Sequence, residues 1–295
     1  MANVLYTPQM AARSTIAALR WLTTLPRTVR QDFAADFVAG VGNVVNVAGP
    51  VSVGASRTYT AANRTARDAI VFDDIAQSTV PVTLDTQIYK AVRLPDDFAT
   101  FTLRNLEDQV LRPQAESVVD GLSAGLVVKM TAIASATGLA IAADGSNALG
   151  VVTKARRILN DRKVPFADRT LAVGSGVAEK LLNLKELTDA SQSGSDGALR
   201  EAIIGRLRGF TVVEDPALGA DIGVAYHRDA FAHVTRPSRP PQGAGFSAAV
   251  AQDGFALRWL QHYNPLQLED QSVVDTFVGA ETLDANRAVK ITTAP

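Results

Sequence analysis

The 295-residue sequence contains no cysteine. That excludes a disulfide scaffold, a thiolate zinc site and a cysteine nucleophile. Histidine is nearly absent as well: His227, His233 and His262 are the full set, too few for a histidine-rich metal site. Neither sign of charge dominates. Lys plus Arg is 29 and Asp plus Glu is 30, a net charge of −1, which disfavours a general basic nucleic-acid binder. No uninterrupted apolar run reaches membrane length. The nearest approach, Gly121 to Ala143, holds Lys129 near its middle, where insertion costs about 2.5–3.5 kcal/mol. It reads as a buried helix followed by a small-residue loop, so no membrane partner is expected. The opening residues MANVLYTPQM lack a basic stretch, and no signal peptide is expected either.

What is present is globular: 47% hydrophobic, 20% charged, and long enough for one large domain or two ordinary ones. Residues 1–30 carry Arg13, Arg20, Arg27 and Arg30 and no acid. Ile16, Leu19 and Leu22 fall at helical spacing, and Pro26 is expected to end that helix. The pattern fits a peripheral helix with solvated arginines, and equally an arm that touches an acidic partner or nucleic acid.

Residues 43–94 read as β. NVVNV is a short apolar run, Thr58–Thr60 a further strand, and Val80 to Leu94 alternates over a length that predicts one long half-exposed strand. Between them Asn63, Arg64, Arg67 and Asp68 form a polar tip. A two-stranded ribbon buries no core of its own, so it must lie on the body or on a neighbouring subunit.

Asp96 and Asp97 cap the sequence that follows. Pro113 suits the first turn of a long amphipathic helix bearing Ala115, Val118, Val119, Leu122, Leu126, Met130 and Ile133. Residues 144–232 alternate: helix over Asn147–Asn160, strand over Arg169–Val173, helix over Ala178–Leu187, loop over Ser191–Gly197, helix over Leu199–Arg206, then strands at Gly209–Val213 and Val224–Tyr226 and a short helix with Ala230 and Phe231. That alternation marks an α/β or α+β unit. The rest is β-rich. Arg236 to Gln242 is a proline-rich excursion. Asp253–Gly254 joins Phe246–Gln252 to Phe255–His262 as a hairpin, and strands follow at Ser272–Val278 and Ala288–Thr292.

Chemical motifs are few. Gly121–Leu122–Ser123–Ala124–Gly125 matches a nucleophile elbow, with Asp221 and His227 downstream in hydrolase order, but Ser123 falls inside the long helix with no strand before it. Gly174–Ser175–Gly176 follows a strand and opens a helix, yet Glu179 stands where the third glycine of a dinucleotide loop belongs. Asp73 and Asp74 point to opposite faces if extended. His227 and His233 are six apart and do not stack on one helical face. No catalytic, cofactor-binding or metal site is expected, no cofactor, and no enzymatic activity.

The order of elements resembles the major capsid proteins of tailed phages, the Hong Kong 97 fold. Local phrases add to the order. Leu103–Leu106 leading to Leu111–Pro113 looks like the lead-in to the spine helix. Ala155–Leu159, Val164–Pro165 and Arg169–Val173 look like the A-domain helix and strand. Ile204–Arg206, Gly209–Phe210, Glu214–Pro216 and Tyr226–Ala232 are similar to the segments after them. The coat type it resembles is that of Salmonella short-tailed phages, in the short form of actinobacteriophages, since the length leaves no room for the large inserted domain.

The resemblance implies an α+β fold: an N-arm (1–42), an E-loop β ribbon (43–94), a P-domain with the spine helix (95–140), an α/β A-domain (141–232), a P-domain β return (233–275) and a C-terminal strand returning to the A-domain (276–295). It implies a major capsid protein that self-assembles into an icosahedral shell of pentamers and hexamers around double-stranded DNA. Its place is then the virion capsid, built in the host bacterial cytoplasm. A scaffolding protein and a portal are implied partners, with a decoration protein optional. An encapsulin-like nanocompartment is the alternative on the same fold; a hydrolase using Ser123 is the alternative from another class. Some relatives crosslink an E-loop lysine to a neighbour's asparagine. Here the tip carries Arg64 and Arg67, and Lys90 at the base is the ribbon's only lysine, so no such bond is expected.

Overall fold

The computed structural model describes residues 7–31, 42–49, 55–75, 79–101, 106–184, 205–243, 246–252 and 254–294. In chain order the first half holds α1 (Pro8–Leu22), β1 (Val44–Ala48), α2 (Ala61–Ala66), β2 (Thr79–Thr83), β3 (Thr86–Pro95), α3 (Asp96–Phe101), α4 (Arg112–Thr131), β4 (Ser135–Ile141) and α5 (Ala148–Asp161). The second half holds β5 (Arg169–Val173), α6 (Ser175–Leu182), β6 (Arg206–Leu207), β7 (Phe210–Glu214), β8 (Ile222–His227), β9 (Phe231–Arg236), β10 (Phe246–Gln252), β11 (Phe255–Asn264), β12 (Glu269–Thr282) and β13 (Ala288–Thr293).

Two sheets organise the body. One is antiparallel, in the order β10-β11-β12-β3, with β9 paired to the far end of β12. The other runs β4-β13-β8-β5-β7-β6 and mixes parallel and antiparallel neighbours. β5 is buried at all five positions, because both faces of its sheet are covered. Leu171 and Val173 pack with Val151, Val152 and Leu159 of α5. Ala172, one residue out of phase, packs on the opposite side with Leu126 and Met130 of α4.

α4 serves both sheets. Ala115, Val118 and Leu122 meet Trp259, Val274 and Val278 of the antiparallel sheet, while its last turns meet the mixed sheet. A buried polar chain fixes the first contact: Trp259 Nε1 donates to Ser272 Oγ (3.0 Å), Ser272 Oγ to Gln114 Oε1 (3.0 Å), and Gln114 Nε2 to the Ser272 carbonyl (2.9 Å). Every member has a partner, so the network sets the helix's register without leaving a desolvated group. Lys129 closes on Glu281 at 2.7 Å, which accounts for a charge inside an otherwise small-residue stretch.

Several local expectations change. α1 ends at Leu22, before Pro26, which instead opens a 3-10 turn over Leu25–Thr28. The helix is not peripheral: Ile16 and Leu19 are in the core with α4 and the antiparallel sheet. The small-residue stretch after α4 is strand β4, recruited by parallel pairing with β13. Thr58–Thr60 is no strand, and the polar tip is the short helix α2. The long strand at 80–94 is two strands. β2 pairs with β1, then the chain breaks at Leu84 and Asp85, and β3 joins β12. Alternation continues across the break, so the sequence hides the change of partner. The loop expected at Ser191–Gly197 and most of the helix expected at Leu199–Arg206 lie outside the described residues, as does Leu103–Asn105. Gly205 and Arg206 are described, and Arg206 belongs to strand β6. The helix expected at Ala178–Leu187 begins earlier, at Ser175, and ends at Leu182.

Where β2 ends it crosses β12 over Gly279. A Cβ there would overlap the Thr83 carbonyl oxygen. Gly279→Val should therefore cost about 1–3 kcal/mol by overpacking. The loss reads as a lower midpoint in a thermal melt, and an unchanged midpoint would show that this crossing can yield.

Candidate assembly surfaces

The enzymatic candidates separate in space. Ser123 sits mid-helix in α4, 3% exposed. It lines a recess of about 500 Å³ with Thr24, Asp120, Glu214 and Asp215, and no histidine lines it. Asp221 accepts from Thr293 Oγ1 at 2.5 Å. His227, at the end of β8, accepts the Asp229 amide at 3.2 Å and so caps a 3-10 turn. A serine without a nearby base has no activated nucleophile.

Gly174–Ser175–Gly176 does join β5 to α6. Its glycines admit the chain's own backbone, however: a Cβ at Gly174 would collide with the Gly219 carbonyl, and one at Gly176 would stand 3.0 Å from the Ala220 oxygen. The turn is packed where a phosphate would sit. Asp73 pairs with Arg57 at 2.5 Å. Asp96 accepts from the Tyr263 hydroxyl at 3.0 Å. Among the described residues no cluster of three His, Cys, Asp or Glu could hold a metal, and no helix is long and apolar enough to cross a membrane.

His233 stands apart from these candidates. It is fully buried on β9, its Nε2 lies 3.2 Å from the Leu122 carbonyl of α4, and its Nδ1 has no hydrogen-bond partner. Burial pushes its pKa down to about 4, against a smaller upward pull from the Leu122 hydrogen bond. The unfolded chain, near 6.5, takes up the proton first as pH falls. Stability is thus intact above pH 6.5, declines towards pH 4, and changes no further below that from this residue, a loss of roughly 3 kcal/mol. Burial lowers His227 in the same sense. Urea midpoints measured from pH 7 to pH 4 should fall, and His233→Gln should make the slope shallower. An unaltered slope would remove His233 as its source.

The surfaces that call for a partner lie elsewhere. Residues 55–75 extend from the body between β1 and β2, and this arm is internally ordered. Thr60 and Asn63 cap α2 reciprocally. Arg67 ends it in a left-handed conformation, φ 56°. The Tyr59 hydroxyl donates to the Asp68 carbonyl at 2.8 Å, Asn63 Nδ2 donates to Asp68 Oδ2 at 2.8 Å, and Arg57–Asp73 closes the loop. On this frame Ile70, Val71, Phe72 (89% exposed) and Ile75 (72%) stand in water. Burying each is worth about 1.5–3 kcal/mol. A contiguous apolar segment held out by an ordered polar tip marks an interaction surface. Leu266, 93% exposed at the turn between β11 and β12, is a smaller second one. Composition alone did not single out residues 70–75; the signal available was an apolar run, IVFDDI, inside a segment with no room for a core.

Solved structures place this arrangement. One from Mycobacterium phage Che8 aligns with TM-score 0.67 and 21% identity over 91% of this chain and 90% of that one. The capsid of cyanophage P-SCSP1u aligns at 0.61 and 11% identity, over 87% and 85%. A virus-like particle from Pyrococcus furiosus aligns at 0.56 and 9% identity, over 96% and 98%. The chain has the Hong Kong 97 fold. The stretch expected as the spine helix contains α4, and the stretch expected as the E-loop ribbon contains residues 55–75. No protein-family profile matches the chain, and no curated protein sequence does. The resemblance is thus carried by the Hong Kong 97 topology and not by sequence.

Proposed function

We propose that this protein is a structural, non-catalytic shell component: the major capsid protein of a tailed phage, which self-assembles into an icosahedral shell around double-stranded DNA. The observation that carries this is the E-loop. Its apolar segment at Ile70, Val71, Phe72 and Ile75 is ordered and solvent-exposed in the single chain, and a neighbouring copy would cover it. Pentamers and hexamers are the expected assembly, in the virion and built in the host bacterial cytoplasm. A separate scaffolding protein, a portal and optionally a decoration protein are the expected partners. The coat type proposed is that of Salmonella short-tailed phages in the short actinobacteriophage form. The Mycobacterium phage structure, matched over nine-tenths of both chains, supports the short form.

The test is negative-stain microscopy of the purified protein, expressed alone and with its neighbouring genes. Uniform shells, or capsomers that close only with a scaffold, are expected; a monodisperse monomer under every condition would overturn the reading. A nanocompartment shell is the second reading, favoured by the match to the Pyrococcus furiosus virus-like particle over 96% and 98% of the two chains. Nuclease-protected DNA inside native particles supports the phage reading, and a protein cargo supports the other. With no lysine in the described part of the E-loop between β1 and β2, particles boiled in detergent should run as a single monomer band. A covalent ladder would contradict that.

A further inference from the structure

Ser123 has a hydroxyl with nothing to bond. Hydroxyls elsewhere on the helices turn back to a carbonyl one turn earlier: Thr15 Oγ1 donates to Ala11 at 2.8 Å, Thr131 Oγ1 to Val127 at 2.9 Å and Thr153 Oγ1 to Leu149 at 2.9 Å. Ser123 is only 3% exposed, yet its Oγ has no hydrogen-bond partner among the described residues. It faces instead the recess of about 500 Å³ between α4 and the end of β7. The recess carries charge of one sign. Asp120 of α4, Glu214 of β7 and Asp215 line it, and among the described residues no lysine or arginine does. Asp215 is engaged, accepting from Thr24 Oγ1 at 2.6 Å and from the Ala217 amide at 3.0 Å. Asp120 and Glu214 are exposed and have no ion-pair or hydrogen-bond partner for their side chains among the described residues.

The spacing of these groups selects the ligand. Among the described residues no three acids stand close enough to hold a metal ion. Carboxylates spread around a recess suit a cation that spreads its donors. An alkylammonium group carries up to three N–H bonds and a guanidinium five. Val119 and Pro216 give such a cation an apolar wall for its carbon stem. We propose that this recess binds an organic cation with several N–H donors, its charge between Asp120 and Glu214 and one N–H donated to Ser123 Oγ. Bound there, the cation joins α4 to β7 beside Thr24, so it fastens the end of the N-terminal segment, the long helix and the mixed sheet at one point. The same chemistry has two sources, a free polyamine or a lysine or arginine side chain presented by another chain.

The test is a thermal melt of the purified protein in spermidine, arginine amide, magnesium chloride or tetramethylammonium chloride, all at one ionic strength. Spermidine or arginine amide should raise the midpoint by about 2–4 °C over the other two salts. Tetramethylammonium has the charge without an N–H donor, and magnesium has the charge in a point. A larger rise with spermidine assigns a free polyamine, and a larger rise with arginine amide assigns a presented side chain. Asp120→Asn with Glu214→Gln should abolish the rise, and Ser123→Ala should weaken the apparent affinity about tenfold. No rise with either organic cation overturns the site. So does an equal rise with tetramethylammonium or magnesium, or a rise that survives in the double variant. Should the double variant melt early in salt alone, Ser123→Ala decides, and an undiminished affinity there overturns the site.

Discussion

Deleting residues 1–30 should leave a chain that does not fold. The basic N-terminal segment is part of the body. Ile16 and Leu19 of α1 are buried against α4 and the antiparallel sheet, and Leu25 and Val29 are buried with Leu126, Met130 and Tyr226 on the mixed sheet. Removing one buried leucine or isoleucine costs about 2–5 kcal/mol. Several lost together reach the whole stability of an ordinary domain, about 5–15 kcal/mol. Polar stitches would go as well. Thr24 Oγ1 donates to Asp215 at 2.6 Å, Thr28 is hydrogen-bonded to the Tyr226 hydroxyl, and Arg30 bridges Ala232. The expected readout is insoluble protein, or soluble protein without a cooperative thermal transition. A truncated chain that melts like the full one would show that α1 is dispensable. Truncation is therefore a poor probe of whether the arginines meet scaffold or DNA. Arg13, exposed on α1, is the better position, since Arg13→Glu changes the charge and leaves the core packing in place.

Asp275→Ala should be the most damaging single substitution of a polar residue. Asp275 is 1% exposed. Its carboxylate accepts from Arg258 Nε at 2.7 Å and Nη2 at 3.0 Å, from Gln87 Nε2 at 2.7 Å and from Ser238 Oγ. It thereby ties β3, β11 and the proline-rich excursion to β12. Alanine leaves the Arg258 guanidinium, itself largely buried, without its counter-charge. Breaking a buried pair from one side costs about 3–5 kcal/mol. Equilibrium urea unfolding should show that loss. Replacing both partners by apolar residues, Arg258→Met with Asp275→Leu, should cost much less, because no orphan charge remains. A double variant as damaged as the single one would place the cost in the hydrogen bonds to Gln87 and Ser238.

Much of the fold was legible because its elements keep one partner throughout. The Arg169–Val173 strand, the 147–160 helix and the hairpin around Gly254 show their periodicity plainly, and the structure has them within a residue or two. Helix α4 changes partner along its length yet was legible too, because one apolar stripe runs through it: Ala115, Val118, Leu122, Leu126 and Met130 are all buried. Tertiary context decided the failures. β4 is a run of small residues that becomes a strand only because β13 lies beside it. The break at Leu84 is a change of neighbour within one unbroken alternation. α2 owes its existence to a reciprocal cap and to bonds from Tyr59 and Asp68, each too local and too polar for a periodicity argument to register. The candidate surface was legible in outline, as a ribbon that needs a support, but its apolar face at Ile70 to Ile75 appears only once exposure is known.

Helix α4 also has a mechanical meaning. With 20 residues it is a rod about 30 Å long, bonded near one end to the antiparallel sheet through Gln114 and Ser272 and packed at the other against the mixed sheet. Tilting it by about 10° would displace its far end by roughly 5 Å, enough to unseat a close-packed core. The two sheets therefore move as one plate. Copies set side by side on a curved surface must meet at unequal angles. In the shell proposed above, that difference would have to be absorbed outside the plate, at the short crossing of Thr83 over Gly279, where the arm meets the body.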